Sequence, residues 1–101
     1  MRRFNIKFTP EAARVTSKLH PENEKLIKSA LNEIRGDPHS GHDLQEELSG
    51  FKSYRLKRYR ILYMVNEEKD VIEVYYVGHR KDVYAQFRRL LNKLTPPDAE
   101  S

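Results

Sequence analysis

The stretch KSYRLKRYRILYMVNEEKDVIEVYYVG, Lys52–Gly78, decides the fold. Its last part, Val71–Val77, is rich in β-branched and aromatic residues, the composition of a central strand, and Gly78 ends it. Lys52–Lys57 and Tyr59–Asn66 lie so close together that only a very tight hairpin can join them. Glu67-Glu68-Lys69-Asp70 forms the next turn. Three consecutive strands are therefore expected. A strand's period of two puts Arg55 and Lys57 on one face and Tyr54 and Leu56 on the other. In the next strand Arg60 shares a face with Leu62 and Met64, and Tyr59 shares one with Ile61, Tyr63 and Val65.

Upstream, Arg3–Phe8 alternates, with Phe4, Ile6 and Phe8 on one side, as a half-buried strand does. Thr9-Pro10 reads as a helix N-cap followed by proline at the first helical position. Ala12, Val15 and Leu19 form a helical stripe that ends near His20-Pro21. Pro21 opens a second helix with Leu26, Ile27, Ala30, Leu31 and Ile34 on one face, and Gly36-Asp37-Pro38 stops it. Residues 37–50 read as loop, tacked down by Leu44 and Leu48. Downstream, Asp82 can cap a last helix with Val83, Phe87, Leu90, Leu91 and Leu94 at helical spacing. The order β-α-α-β-β-β-α predicts an α+β fold. A small antiparallel-rich sheet carries a helical hairpin on one face, with a C-terminal helix after it. The hairpin leaves the other face at least partly open. Residues 1–95 form one domain, and 96–101, after Pro96-Pro97, a flexible tail.

The 101 residues suit one modest core. There is no cysteine, which excludes disulfides, thiolate chemistry and Cys-type zinc sites. His39 and His42 stand three apart, and a polar loop is the plainer reading of them than a metal site. No apolar run reaches membrane-span length, and the N-terminus lacks the apolar region of a signal peptide, so a cytoplasmic protein is expected. The formal net charge of +4 points to an anionic partner. Its distribution says more. Acids crowd Glu22–Glu47, while the positive excess collects in Arg2–Lys7, Lys52–Arg60 and Arg80–Lys93. If these segments meet, the protein has one basic face.

Two motifs carry chemistry. SYRLKRYR, Ser53–Arg60, holds four cations and no acid. VGHRKDVY, Val77–Tyr84, places a His-Arg-Lys trio at a strand end and a tyrosine four residues after the arginine. Strand ends hold side chains in place while leaving them accessible. If the last strand lies beside that of Arg60, Arg80 approaches the basic hairpin. Cleavage of RNA without metal needs three things: deprotonation of the 2′-hydroxyl, stabilisation of phosphoryl charge, and a proton for the leaving 5′-oxygen. Arginine and lysine meet the second need, and the proton carriers open to choice are Tyr84, His79 or a perturbed basic side chain. Taken singly, each residue also fits a solvated edge, a turn or a packed helix.

Together, LSGFKSYRLKRYRILYMVNEEKDVIEVYYVGHRKDVY, Leu48–Tyr84, resembles the C-terminal half of RelE-type toxins of the RelE/ParE superfamily. The preceding strand and helical hairpin extend the resemblance over nearly the whole chain. The resemblance implies a toxin of a bacterial or archaeal type II toxin–antitoxin pair. It implies an mRNA interferase that uses no metal or cofactor, cuts in the ribosomal A site and leaves a 2′,3′-cyclic phosphate. The implied partners are a cognate antitoxin, mRNA, the ribosome, and operator DNA through the antitoxin complex, with no membrane. The family's functional positions fall on Arg55, Lys57, Arg60, Arg80 and Tyr84. Arg60, Arg80, Tyr84 and Lys57 are the expected catalytic residues, and Arg55, Arg58, Lys52, His79 and Lys81 the expected RNA-binding ones. The basic hairpin is shorter than the best-known RelE pattern, which leaves open whether Lys57 or Arg58 reaches the RNA. The alternative within the superfamily is a ParE-like inhibitor of DNA gyrase without nuclease activity.

Overall fold

A computed structural model describes residues 4–94. The elements run β1 (Asn5–Phe8), α1 (Pro10–Ser17), α2 (Pro21–Gly36), β2 (His42–Asp43), a 3-10 turn (Glu46–Leu48), β3 (Lys52–Leu56), β4 (Tyr59–Asn66), β5 (Val71–His79) and α3 (Val83–Leu94). This is the expected α+β architecture. The tail expected over 96–101 lies outside the described residues.

The helix starts form as the sequence dictates. Thr9 Oγ1 accepts the Ala12 amide at 3.2 Å, with Pro10 at the first helical position. His20 caps α2 in the same way, its Nδ1 accepting the Glu22 amide at 3.3 Å ahead of Pro21. Helix α2 then buries Ile27, Ala30, Leu31 and Ile34, the stripe read from the sequence.

The five strands are ordered β1-β5-β4-β3-β2. β1 pairs parallel with β5, and every other pairing is antiparallel. α2 and α1 cover one face, burying Ile61, Tyr63, Ile72, Val74 and Val77. α3 covers part of the other, where Val83 and Phe87 are buried with Leu62 and Leu48. Phe87 meets Phe51 edge-to-face, with ring centroids 5.0 Å apart. Burying a side chain of this size is worth about 2–3 kcal/mol. Between Leu62 and Tyr63 the ladder shifts register: Leu62 pairs with Tyr76 and Tyr63 with Val74. Tyr75 is left over, so both Tyr75 and Tyr76 reach the α3 side.

Four local features differ from the expected elements. The loop 37–50 contributes the short edge strand β2, because His42 and Asp43 find the open side of β3. β5 continues through Gly78 to His79, because Gly78 pairs with Arg60 and His79 with Tyr59. β3 stops at Leu56, leaving Lys57 and Arg58 as a two-residue loop with Lys57 at φ 42°. Lys57 therefore does not share a strand face with Arg55. The second sheet face is less open than the hairpin alone would leave it, since α3 folds back on it.

Gly78 permits that return. A Cβ there would lie 3.1 Å from Val83 Cγ2 and 3.2 Å from Gln86 Oε1. The first turn of α3 thus sits directly on the strand next to Arg60.

Candidate active site

The β3–β4 hairpin fixes the register of the basic residues. Arg55 lies directly opposite Arg60, and Arg60 lies opposite Gly78 on β5. Directly paired residues project from the same face, so Arg55 and Arg60 stand side by side on the α3 side of the sheet. Arg55 is exposed and Arg60 half-buried. Tyr84, in the first turn of α3, reaches the same strand face. Its Oη lies 3.0 Å from Ser53 Oγ, and Ser53 shares the strand face of Arg55.

A rim of exposed cations adjoins this cluster. Lys57 and Arg58 form the hairpin loop, and Arg80 and Lys81 the turn after β5. The Arg80 amide donates to the Arg58 carbonyl at 2.7 Å, tying the two turns together. The approach of Arg80 to the basic hairpin is thereby realised. Both Lys57 and Arg58 sit in the loop, so neither takes a strand position beside Arg55.

Two residues assigned to RNA stand apart. His79 follows Gly78 and so projects to the α2 face, where its ring meets Tyr59 at a centroid distance of 6.1 Å. Its Nδ1 accepts the Lys81 amide at 3.4 Å. Lys52 stands at the far end of β3 and gives its Nζ to Asp43 Oδ1 at 2.5 Å. That hydrogen bond and the Lys52 charge hold the Asp43 carboxyl below its ordinary pKa. His39 Nε2 lies 3.2 Å from Glu67 Oε1. Among the described residues no three His, Asp or Glu side chains gather as a metal-binding group.

The cluster differs from the rest of the surface in the density of its cations. Arg14 pairs with Glu11, Lys28 with Glu24, Arg88 with Glu47 and Lys52 with Asp43. Arg55, Lys57, Arg58, Arg60, Arg80 and Lys81 form no ion pair among the described residues. Six uncompensated cations in two linked turns and one strand pair repel one another and attract polyanions. Arg60 Nε is moreover buried without a hydrogen-bond partner among the described residues. A buried donor left unpaired costs roughly 1–3 kcal/mol, more for a charged group. Such a donor is ready for an anionic acceptor. Guanidinium forks from two strands, with a phenol held above them, can bind a phosphodiester and exchange a proton beside it.

Ser53 carries no signal in the sequence. A serine inside a strand reads as an ordinary polar residue, and its partner lies 31 positions away.

The fold and this cationic cleft define a class: small toxins built on a RelE-like sheet. A family model described as "ParE toxin of type II toxin-antitoxin system, parDE" matches residues 6–84, and the chain belongs to the RelE/ParE superfamily of type II toxin–antitoxin toxins. Toxin RelG of Mycobacterium tuberculosis is 31% identical over 83 residues, spanning 80% of this chain and 95% of RelG. In the crystal structure of the toxin–antitoxin complex RelBE2 from the same organism, a chain 30% identical superposes with a TM-score of 0.71. That match covers 77% of this chain and 99% of that one. The E. coli toxin RelE, as a mutant in the free state, shares the fold at TM-score 0.70 and 23% identity, over 86% of this chain and 96% of that one.

Proposed function

We propose that this toxin is an endoribonuclease that cleaves mRNA, with the ribosomal A site as its place of action. The observation that carries this reading is the pairing of Arg55 with Arg60, whose Nε is buried and unpartnered, on the strand face where Ser53 holds the Tyr84 hydroxyl. In the proposed reaction Tyr84, as its phenolate, takes the proton of the ribose 2′-hydroxyl. The 2′-oxygen attacks the adjacent phosphorus, giving a 2′,3′-cyclic phosphate, and the departing 5′-oxygen takes a proton from Arg80 to leave as a 5′-hydroxyl fragment. Arg55 and Arg60 hold the phosphoryl oxygens as charge grows on them. Arg80 lies toward the leaving group, with Lys57, Arg58 and Lys81 along the path of the strand. The reading asks nothing of a metal, because the arginines stabilise the charge. His79 and Lys52 have no direct part in it.

A cognate antitoxin is the proposed restraint. An acidic segment is suited to the same unpaired cations, and complexes of this kind are known for the RelBE2 toxin. Occupying the cleft would block RNA and inhibit the toxin.

Inducible expression in a bacterial host tests the assignment. Wild type is expected to arrest growth, while Arg80→Ala and Tyr84→Phe relieve the arrest and still bind the antitoxin. If both variants remain fully toxic, these residues do not form the active site.

A further inference from the structure

We infer that Ser53 is the positioning residue for Tyr84, an inference that rests on the endoribonuclease reading. Ser53 is 1% exposed, a fully enclosed side chain with a hydroxyl. A hydroxyl so enclosed requires a partner. That partner is the Tyr84 Oη, 3.0 Å away. Ser53 is held by the strand on both sides: it pairs with Leu62 on β4 and with His42 on β2. Its Oγ is therefore held on a strand with a neighbour on each side.

The consequence for Tyr84 is geometric. The phenol enters the cleft from the first turn of α3, just after a turn at residues 80–82. Its ring packs against the cluster of Leu48, Leu62, Val83 and Phe87, and the hydroxyl keeps rotational freedom about its C–O bond. A hydrogen bond to a fixed oxygen removes that freedom. It sets the phenol oxygen over β3, one side-chain step from Arg55, about 7 Å along the strand. Proton transfer depends steeply on such placement, and errors of an ångström in reacting groups cost large factors in rate. Ser53 does this without touching the RNA, through Tyr84.

The test is a mutant cycle on the purified full chain, cutting a short mRNA on programmed ribosomes. Ser53→Ala is expected to lower kcat about tenfold or more, part of the roughly 10²–10⁴-fold that a positioned acid or base supplies. KM should change little, because Arg55 and Arg60 still hold phosphate. Ser53→Thr, which keeps the hydroxyl, should recover much of the rate. The double variant Ser53→Ala/Tyr84→Phe should be no slower than Tyr84→Phe alone. Losses that multiply, or Ser53→Ala at the wild-type rate, overturn the inference. If Ser53→Thr does not fold, the cycle of the other variants still decides. Should Tyr84→Phe cut like wild type, the active-site reading itself falls. If Tyr84→Phe is inactive and Ser53→Ala is not, only the role of Ser53 falls.

Discussion

Arg60 is the residue where stability and function pull in opposite directions. Its guanidinium is part-buried beside a second arginine, and its Nε has no partner among the described residues. Folding gains nothing from such an arrangement, whereas binding an anion does. Arg60→Met should therefore fold with an unchanged or higher Tm while cleavage falls about 100-fold or more, as when an oxyanion-type donor is removed. Thermal unfolding and cleavage rates check this; a Tm several degrees lower would show that Arg60 serves the fold instead. That Arg55 and Arg60 lie on neighbouring strands was legible from strand alternation, and that Arg80 and Tyr84 follow the last strand from the start of the last helix, although that strand runs past Gly78 to His79. Ser53 was not legible, since its meaning depends on a contact between β3 and α3. The sequence left open whether Lys57 or Arg58 reaches the RNA, and the fold places both in the hairpin loop.

Among elements, one side chain ties down the start of the loop at residues 37–50. Tyr63 Oη donates to the Pro38 carbonyl at 2.8 Å and accepts the Gly41 amide at 3.1 Å. Tyr63→Phe leaves both backbone groups unpaired and should cost about 1–3 kcal/mol, measured by denaturant unfolding. Burial also pushes the Tyr63 hydroxyl above its ordinary pKa, and the hydrogen bond to Glu33, with burial behind it, does the same for Tyr54. In both the folded state favours the neutral phenol. Their contribution is complete below the unfolded pKa of about 10 and is lost as pH rises through the folded values. Stability should thus fall above about pH 10, and less so in Tyr63→Phe. Unfolding curves across that range that are flat, or equally steep for both proteins, would contradict this. The helices were legible in full outline, because Thr9-Pro10 and Pro21 mark their starts. β2 was not, because two residues show no alternation and their pairing depends on the open edge of β3. Nor was the return of α3, which depends on the bare surface over Gly78.

At the scale of the molecule, a sheet covered by helices on two faces leaves the ends of β3, β4 and β5 to gather charge. The net charge of +4 is modest, but six cations without an ion pair among the described residues crowd the β3–β4 hairpin and the turn after β5. The fold alone is shared across activities, so function has to be argued from this site. The most direct measurement is to induce the chain in a bacterial host and map the 5′ ends of cellular mRNA. The account predicts new 5′-hydroxyl ends in phase with codons in translated messages, absent from Tyr84→Phe. Intact mRNA together with stalled supercoiling and an SOS response would contradict it and assign the toxin to gyrase.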